Sequence, residues 1–192
     1  MAFRFIATEL DGVLIVEPDC FRDERGFFLE TYRQADYVAN GIDCTFVQDN
    51  HSQSRQGVLR GLHYQDMSAP MAKLVRCSHG AILDVAVDLR FGSPTFGCWI
   101  AVELSDENAR QLFVPVGFGH GFLTLSPVAE VQYKCSGYYH QPAEGAVRWD
   151  DPEIGIDWPI SDPTISERDR QALSLADYID RPAFLFSADQ QR

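Results

Sequence analysis

GVLRGLHYQ, at residues Gly57–Gln65, has the composition of a β-strand, and a polar run, Ser52–Gln56, precedes it. Arg60 and His63 are three positions apart, so a regular strand would place their side chains on opposite faces. Gly61 lies between them, and glycine inside a strand often marks a bulge. A bulge would bring a permanent cation and a group that titrates near neutral pH to one pocket. The alternative is a surface arginine and a histidine satisfied within the core.

The length of 192 residues predicts one sizeable domain, residues 1–192. The net charge of −12 disfavours nucleic acid and anionic membrane as partners. No apolar run is long enough to span a bilayer, and the first residues lack the hydrophobic stretch of a secretory signal. We therefore expect a cytoplasmic protein with no nucleic-acid or membrane partner.

The five cysteines show no disulfide or zinc-binding pattern, because their number is odd, they are widely spaced and no Cys-x-x-Cys is present. This favours small buried side chains in a reducing cytosol over disulfide bonds or a zinc site. The cysteines are Cys20, Cys44, Cys77, Cys98 and Cys135.

Short strand patterns, separated by glycine, proline and serine turns, occupy most of the chain up to residue 150. This arrangement indicates an all-β antiparallel sandwich or barrel. In Ala81–Leu89, alternate apolar residues share one face, while Asp84 and Asp88 lie on the other. Phe21–Gly26 is a predicted turn. The other predicted strands are Leu10–Pro18, Gly26–Tyr32, Thr45–Asn50, Lys73–Cys77, Phe96–Leu104, Gln111–Pro115, Gly121–Leu125 and Ala129–Cys135.

Two short helices are predicted outside this series. Thr31–Asn40 has helical spacing and ends before Gly41, a typical C-cap residue. From about residue 150 the chain is irregular, and Ser166–Leu175 is predicted to be a helix in which Ser166 and Asp169 form a capping-box variant.

PVGFGHGF, at Pro115–Phe122, is a second segment that contains a candidate functional residue. Its glycines allow an unusual bend from which His120 emerges, just before a strand. Pro-x-Gly-x-x-His resembles the second motif of the cupin superfamily, the jelly-roll barrels. The first cupin motif would place His-x-His where this chain has His63-Tyr64-Gln65, and its glutamate is absent before Lys73. Only His63 and His120 remain as ligands, so we expect a cupin fold without a metal.

Tyr133 belongs to the strand pattern EVQYKC, at Glu130–Cys135. Alternation places its side chain on the face of Val131, which is the barrel interior if apolar residues line it. The alternative is a tyrosine that only packs its ring in the core.

Lys73 is one of only two lysines in the chain and shares a strand face with Val75 and Cys77. An inward lysine requires a polar interior or a bound anion. The alternative is a lysine at a strand end that extends to solvent.

Taken in order, many segments of the chain resemble the dTDP-4-dehydrorhamnose 3,5-epimerase family. The match covers most of the chain with near-normal spacing, which is more specific than any single motif. Met71, where glutamine is frequent, is a minor departure, and the residues beyond about Asp180 carry no family pattern. The matching segments are Phe21–Glu30, Gln48–Asn50, Arg60–Gln65, Lys73–Cys77, Asp84–Arg90, Ser93–Gly97, Pro115–Phe122, Tyr133–Lys134, Trp149–Pro152 and Trp158–Pro159.

The resemblance implies a jelly-roll dimer that epimerises a dTDP-linked 4-keto-6-deoxyhexose at C3 and C5. A 4-keto group acidifies the protons on both carbons, so no metal or redox cofactor is required. His63 is the natural base because its pKa lies near neutrality. Lys73 suits the enolate oxygen, where His120 assists or acts mainly in binding.

Two further roles follow from the resemblance. Asp169 is the carboxylate that orients His63, although capping with Ser166 explains the same residue equally well. Tyr133 is the candidate acid that returns a proton.

The remaining predicted contacts follow the parts of the substrate. The diphosphate needs cations, for which Arg60, Arg25 and Arg168 are candidates. Dimers of the family exchange N-terminal strands, so Arg25 and Glu30 are candidates for the neighbouring subunit's site. By resemblance Tyr139 stacks on the base, and the further binding residues are Glu30, Gln48, Asp49, Asn50 and Glu144.

Three other functions stay open at this point. The first is a metal-dependent cupin enzyme, against which the missing ligands argue. The second is a non-catalytic binder of sugar nucleotides, against which the presence of His63, Lys73, Tyr133 and Asp169 together argues. The third is an epimerase that acts at C3 or C5 alone on a related sugar, and the sequence does not distinguish it.

Overall fold

Two antiparallel β-sheets packed face to face form a cupin-like jelly roll in the computed structural model, which describes residues 2–187. The strands are β1 (Phe3–Ala7), β2 (Leu14–Pro18), β3 (Cys20–Asp23), β4 (Gly26–Leu29), β5 (Gln48–Arg55), β6 (Leu59–Gln65), β7 (Lys73–His79), β8 (Ala81–Asp88), β9 (Arg90–Phe91), β10 (Trp99–Ser105), β11 (Gln111–Val114), β12 (Phe118–Thr124), β13 (Val128–Cys135), β14 (Glu144–Ala146) and β15 (Phe184–Leu185). The helices are α1 (Gln34–Ala39), α2 (Glu167–Arg170) and α3 (Leu175–Asp180), with a 3-10 turn at Gln141–Ala143.

The six-stranded sheet has the order β1-β2-β11-β7-β13-β5, and the five-stranded sheet has the order β10-β8-β12-β6-β14. Every pairing within these two sheets is antiparallel. β3 and β4 form a separate hairpin, and β9 pairs with β15 in parallel. The predicted all-β antiparallel jelly roll with short peripheral helices is confirmed.

Apolar side chains from both sheets fill the space between them. Val75, Ile82, Phe122 and Val131 are buried there. Tyr133 is partly buried against the same core, as strand alternation predicted.

The other face of β8 packs outside the sandwich. Val85 and Val87 are fully buried there beneath residues 147–185, which we call the C-terminal segment. This segment contributes Trp158 and Tyr178 to a second apolar cluster. The interior face of β8 is therefore the one that carries Asp84.

α1 covers part of the outer face of the six-stranded sheet. Tyr37 is fully buried and packs edge-on against Phe3, Phe5 and Tyr32. The helix ends as predicted before Gly41, whose φ is +90°. No helix in the described residues is long and apolar enough to cross a membrane.

Several boundaries in the first third of the chain differ from the prediction. The strand predicted at Leu10–Pro18 begins at Leu14, because Gly12 adopts a φ of +87° in the preceding turn. Phe21–Gly26 is the centre of the β3–β4 hairpin and not a simple turn. The strand predicted to end at Asn50 continues to Arg55, because the polar residues that follow pair with β13.

His120 lies within a strand and not in the predicted bend. β12 pairs along one edge with β8 and along the other with β6, so both edges hold it extended. The flanking glycine provides close approach, since a Cβ at Gly121 would lie 2.8 Å from the carbonyl oxygen of Arg60.

The helix predicted at Ser166–Leu175 is shorter than expected: α2 ends at Arg170, and a separate helix, α3, begins at Leu175. Leu173 forms a β-bridge with Val147, which interrupts helical hydrogen bonding. Ser174 then caps α3 by accepting a hydrogen bond from the backbone N–H of Asp177. The short strands β1, β9, β14 and β15 were not predicted either, because little in their local patterns indicates which strand they pair with.

All five cysteines are free thiols, but only Cys77 and Cys135 are buried. Cys98 is exposed beside a turn, and Cys20 and Cys44 are half-buried. The prediction of buried side chains is therefore wrong for these three.

The predicted bulge is present in β6. His63 pairs with His120, whereas Arg60 pairs with Phe122, so β6 takes three steps where β12 takes two. Gly61 adopts a φ of +135° at this point. As a result Arg60 and His63 line the same cavity.

We expect Gly61→Ala to lower the free energy of unfolding by about 3 kcal/mol or more, because strain and a backbone clash combine. A Cβ there would lie 2.5 Å from the Cα of Gly121. Urea denaturation measures the loss. Gly41→Ala is the control, since its φ is also positive but no atom lies within 4 Å of the new Cβ. Equal losses in the two variants would contradict the close approach.

Candidate active site

A cavity of about 610 Å³ opens between the two sheets, and residues 164–169 of the C-terminal segment form part of its wall. Both sheets contribute side chains, so the site depends on the closed sandwich. The predicted site residues that line it are Arg60, His63, Lys73, His120, Tyr133, Arg168 and Asp169.

His63 and Asp169 form a close pair in this cavity. Nε2 of His63 lies 2.5 Å from Oδ1 of Asp169, which is 3% exposed. The backbone N–H of Asp169 also donates to Oγ of Ser166 at 3.2 Å, at the start of α2. The orienting contact and the capping contact, which the sequence left as alternatives, are both present.

Opposing effects set the protonation of this pair. Burial lowers the pKa of His63, the hydrogen bond to Asp169 opposes this, and the charges of Arg168 and Lys73 lower the pKa further. Burial raises the pKa of Asp169, but His63 and Ser166 outweigh it and the pKa lies below its usual value. At neutral pH a neutral imidazole therefore donates from Nε2 to a carboxylate, and Nδ1 keeps its lone pair.

Lys73 extends from β7 into the cavity and is half-buried. Burial lowers its pKa, and the carboxylates of Asp84 and Glu144 oppose this effect. Its ammonium has no hydrogen bond or ion pair with any residue between 2 and 187. A cation without a partner is available to a negatively charged oxygen of a ligand.

His120 is buried and bonded to a carboxylate that the sequence analysis did not assign to the site. Its Nε2 lies 2.8 Å from Oδ1 of Asp84, which is completely buried. Oδ2 of Asp84 has no hydrogen-bond partner among the described residues. The available signal was an aspartate within an apolar strand, AILDVAVD, on the face opposite Val85.

Tyr133 extends inward from β13 and lines the cavity. Burial raises the pKa of its hydroxyl, and a hydrogen bond with Asn50 opposes this effect. The phenol therefore stays protonated at neutral pH and can act as a proton donor.

A chain of polar contacts extends from the cavity along its edge. Nη1 of Arg168 lies 2.6 Å from Oε1 of Glu144. The hydroxyl of Tyr139 donates to Oε2 of Glu144 at 3.1 Å, and Oε1 of Gln48 accepts the backbone N–H of Tyr139 at 3.0 Å. These four predicted binding residues therefore lie together.

Arg60 reaches the cavity from the bulge in β6. Its Nε donates to Oγ of Ser54 at 3.0 Å, and Nη2 donates to the carbonyl oxygen of Gln53 at 3.3 Å. No carboxylate of residues 2–187 pairs with it, so its charge is available to an anion.

Three predicted binding residues lie away from the cavity. Arg25, at the tip of the β3–β4 hairpin, pairs with Asp23. Glu30 pairs with Arg33 at 2.6 Å. Asp49 pairs with Lys134 at 3.0 Å on the outer face of the six-stranded sheet. Within one chain these residues do not reach the other site residues.

The arrangement is suited to proton transfer at a carbon next to a carbonyl group. It combines an oriented neutral imidazole, an unpaired cation for a developing oxyanion and a protonated phenol. Two arginines lie at the cavity, as an anionic substrate would require. Among residues 2–187, no group of three His, Cys, Asp or Glu side chains is arranged to hold a metal ion.

Comparison with known sequences supports the resemblance found in the sequence analysis. A profile of the family described as dTDP-4-dehydrorhamnose 3,5-epimerase matches residues 7–177. The chain is 54% identical over 171 residues to the dTDP-4-dehydrorhamnose 3,5-epimerase of Methanothermobacter thermautotrophicus, an alignment that covers 88% of this chain and 92% of that protein. Identity to the Salmonella typhimurium enzyme of the same name is 53% over 169 residues, covering 87% and 92%.

Comparison with solved structures agrees with the sequence comparison. The crystal structure of a dTDP-6-deoxy-D-glucose-3,5-epimerase from Legionella pneumophila, in complex with dTDP-4-keto-L-rhamnose, superposes with a TM-score of 0.93. Sequence identity to it is 44%, and the match covers 97% of this chain and 100% of that one.

We expect the pKa of His63 to lie below the ordinary value for histidine, and Asp169→Asn to move it lower still, because the carboxylate that raises the pKa is removed. NMR of protein with ¹⁵N-labelled histidine measures both midpoints, and His63→Asn assigns the signal. Asp106→Asn is the control, since Asp106 lies 3.6 Å from His79 and should leave the titration of His63 unchanged. An upward shift in Asp169→Asn would contradict the assigned pair.

Proposed function

The chain belongs to the dTDP-4-dehydrorhamnose 3,5-epimerase family, and we propose that it converts dTDP-4-dehydro-6-deoxy-D-glucose into dTDP-4-dehydro-L-rhamnose by inverting C3 and C5. One observation carries the proposal. His63 and Asp169 form a pair at 2.5 Å in a cavity that also contains Lys73, which has no carboxylate partner in the described part of the chain.

Proton abstraction is the first step. The C4 ketone acidifies the protons on C3 and C5, because the resulting carbanion is an enolate. His63 accepts the proton at its free ring nitrogen, and the imidazolium that forms is stabilised by Asp169. The lowered pKa of His63 keeps the base neutral and ready at pH 7.

The enolate oxygen is the atom whose charge changes most. Lys73 supplies the cation for it, and the buried His120–Asp84 pair lies on the facing sheet as a further binding group. A preorganised donor of this kind contributes about 10²–10³-fold to a rate. Because Lys73 has no competing partner, its charge is available as the enolate forms.

Tyr133 completes each inversion by donating its phenolic proton to the carbon from the face opposite His63. The phenolate then regains a proton from solvent, and the imidazolium loses one, so the site returns to its starting state. Two such cycles, one at each carbon, account for a double epimerisation. The reaction moves protons only, with no net oxidation or reduction.

The diphosphate and the thymine of the substrate are assigned to the edge of the cavity. We propose that Arg60 and Arg168 contact the diphosphate, because both are cations at the cavity. Tyr139 is half-exposed beside Gln48 and Glu144, and its accessible aromatic ring supports the assignment of thymine stacking to this residue.

A homodimer with exchanged N-terminal strands is part of the proposal. The β3–β4 hairpin pairs with neither main sheet and exposes Phe21, Phe27 and Phe28 by 53, 56 and 62%. The outer face of the six-stranded sheet has a separate cavity of about 230 Å³, lined in part by Asp49. A hairpin donated by a second copy would cover its own phenylalanines and bring Arg25 to the neighbouring subunit.

We expect the protein to place deuterium at both C3 and C5 of dTDP-4-keto-6-deoxyglucose in deuterated water, measured by proton NMR. His63→Ala should slow this exchange about 10²–10⁴-fold, because the base is lost. Tyr133→Phe retains the base, so exchange should persist while net inversion is lost. His79→Ala, an exposed histidine outside the cavity, is the matched control and should keep full activity.

Other outcomes identify other functions. Label at one carbon only would indicate a single-site epimerase. Binding without exchange would indicate a non-catalytic sugar-nucleotide binder, and loss of activity with a chelator would indicate a metal-dependent cupin. Unchanged exchange in His63→Ala would mean that another residue is the base.

We expect Phe28→Asp to convert the dimer to monomer at micromolar concentration, because a carboxylate cannot be buried in an apolar contact without a partner. Sedimentation velocity measures the mass. Leu185→Asp is the control, since Leu185 is 70% exposed and lies outside the hairpin. A wild-type protein that sediments as a monomer would disprove the exchanged dimer.

A further inference from the structure

The guanidinium of Arg168 lies directly against the ring of His63. Its Nη2 is 2.8 Å from Nε2 and 3.2 Å from Nδ1 of the imidazole. Its Nη1 is 2.6 Å from Oε1 of Glu144. The arginine thus connects the base to the edge of the cavity.

This contact places a cation against the ring that the reaction needs. Nε2 donates its hydrogen to Asp169, so the lone pair of the neutral ring is on Nδ1. A guanidinium can only donate, and Nη2 lies within 3.2 Å of both ring nitrogens. No point in the ring plane lies this close to both nitrogens without overlapping the carbon between them, so the guanidinium lies over one face of the ring. A cation at this distance makes the lone pair on Nδ1 less basic.

The proposal rests on the function proposed above and goes beyond it. We infer that Arg168, lying against the ring, keeps His63 a weak base until the diphosphate of the substrate draws the guanidinium away. His63 is then an effective base only for sugars that carry a diphosphate. Arg168 is in this way a specificity-determining residue for the reaction.

A diphosphate is suited to move this side chain. Arg168 is half-exposed, and its ion pair with Glu144 is therefore screened by solvent and easily exchanged. A diphosphate offers more charge than Glu144 and accepts forked hydrogen bonds from a guanidinium. Arg60, in the same cavity, has no carboxylate partner among the described residues, so an anion has a second contact there.

The charges around His63 change when the arginine leaves. The groups facing the ring are Asp169 and Arg168 from α2, with Lys73 from β7. Asp169 raises the pKa of His63, whereas both cations lower it. Removing Arg168 from the ring therefore makes the nitrogen a stronger base.

Activity on a truncated substrate tests the inference. The probe is free 4-keto-6-deoxyglucose, which has no diphosphate, with deuterium exchange followed by proton NMR. We expect Arg168→Gln to exchange it at least fivefold faster than the wild type. Inorganic pyrophosphate should accelerate the wild type at least threefold and leave Arg168→Gln unaffected.

The same variant should raise KM for the dTDP-linked sugar about tenfold, since a diphosphate contact is lost. Arg170→Gln is the matched control on the same helix, because Arg170 pairs with Glu167 at 3.9 Å and not with His63. It should behave as the wild type on both substrates. Equal or slower exchange of the free sugar by Arg168→Gln would disprove the inference.

A measurement without turnover separates this inference from the proposed function. Titration of ¹⁵N-labelled His63 with and without pyrophosphate should show a higher pKa when pyrophosphate is bound to the wild type, and no change in Arg168→Gln. If this shift occurs but dTDP-4-keto-6-deoxyglucose shows no exchange, the proposed function is wrong and the Arg168 contact stands. If the shift is absent, the inference is wrong whatever the activity.

Discussion

The hydrogen bond between His63 and Asp169 joins two elements that are stabilised in different ways. His63 belongs to a strand of the sandwich, and Asp169 belongs to a four-residue helix that depends on packing for its stability. The bulge at Gly61 turns His63 toward the interior, and the cap on Ser166 fixes the backbone of Asp169. A shift of either element by an ångström would separate the pair, so the site requires both to be held.

The interior of the sandwich combines an apolar core with several charged groups. Lys73 has no hydrogen-bond or ion-pair partner in the described part of the chain, and Asp84 has one oxygen without a hydrogen bond there. Burying such groups costs several kcal/mol each when they are not compensated. The apolar cluster around Val75 and Val131, together with the second cluster under the C-terminal segment, offsets this cost. The charges that a ligand would use are therefore maintained at the expense of stability.

The local sequence pattern was sufficient to predict the features that depend on a single strand. Alternation placed Tyr133 inward, and a single glycine predicted the bulge beside His63. Asp84 was not assigned, because alternation shows two faces of β8 without showing which one is covered by distant residues 147–185. The last predicted helix ends early for a similar reason, since Leu173 pairs with Val147, which is 26 positions away. The resemblance to the family predicted the remaining site residues, whose contacts lie far apart in sequence.

The C-terminal segment carries Asp169 but lies on the outside of the sandwich. Its apolar contacts, through Trp158 and Tyr178, are with one face of one sheet, whereas the strands beneath are paired along their full length. Local opening of such a layer requires less free energy than global unfolding. Asp169 is thus attached to a layer that we expect to separate from the sandwich before the sandwich itself unfolds. Thermal inactivation should then precede melting of the barrel and be reversible on cooling, because the sandwich remains as a template on which the segment docks again.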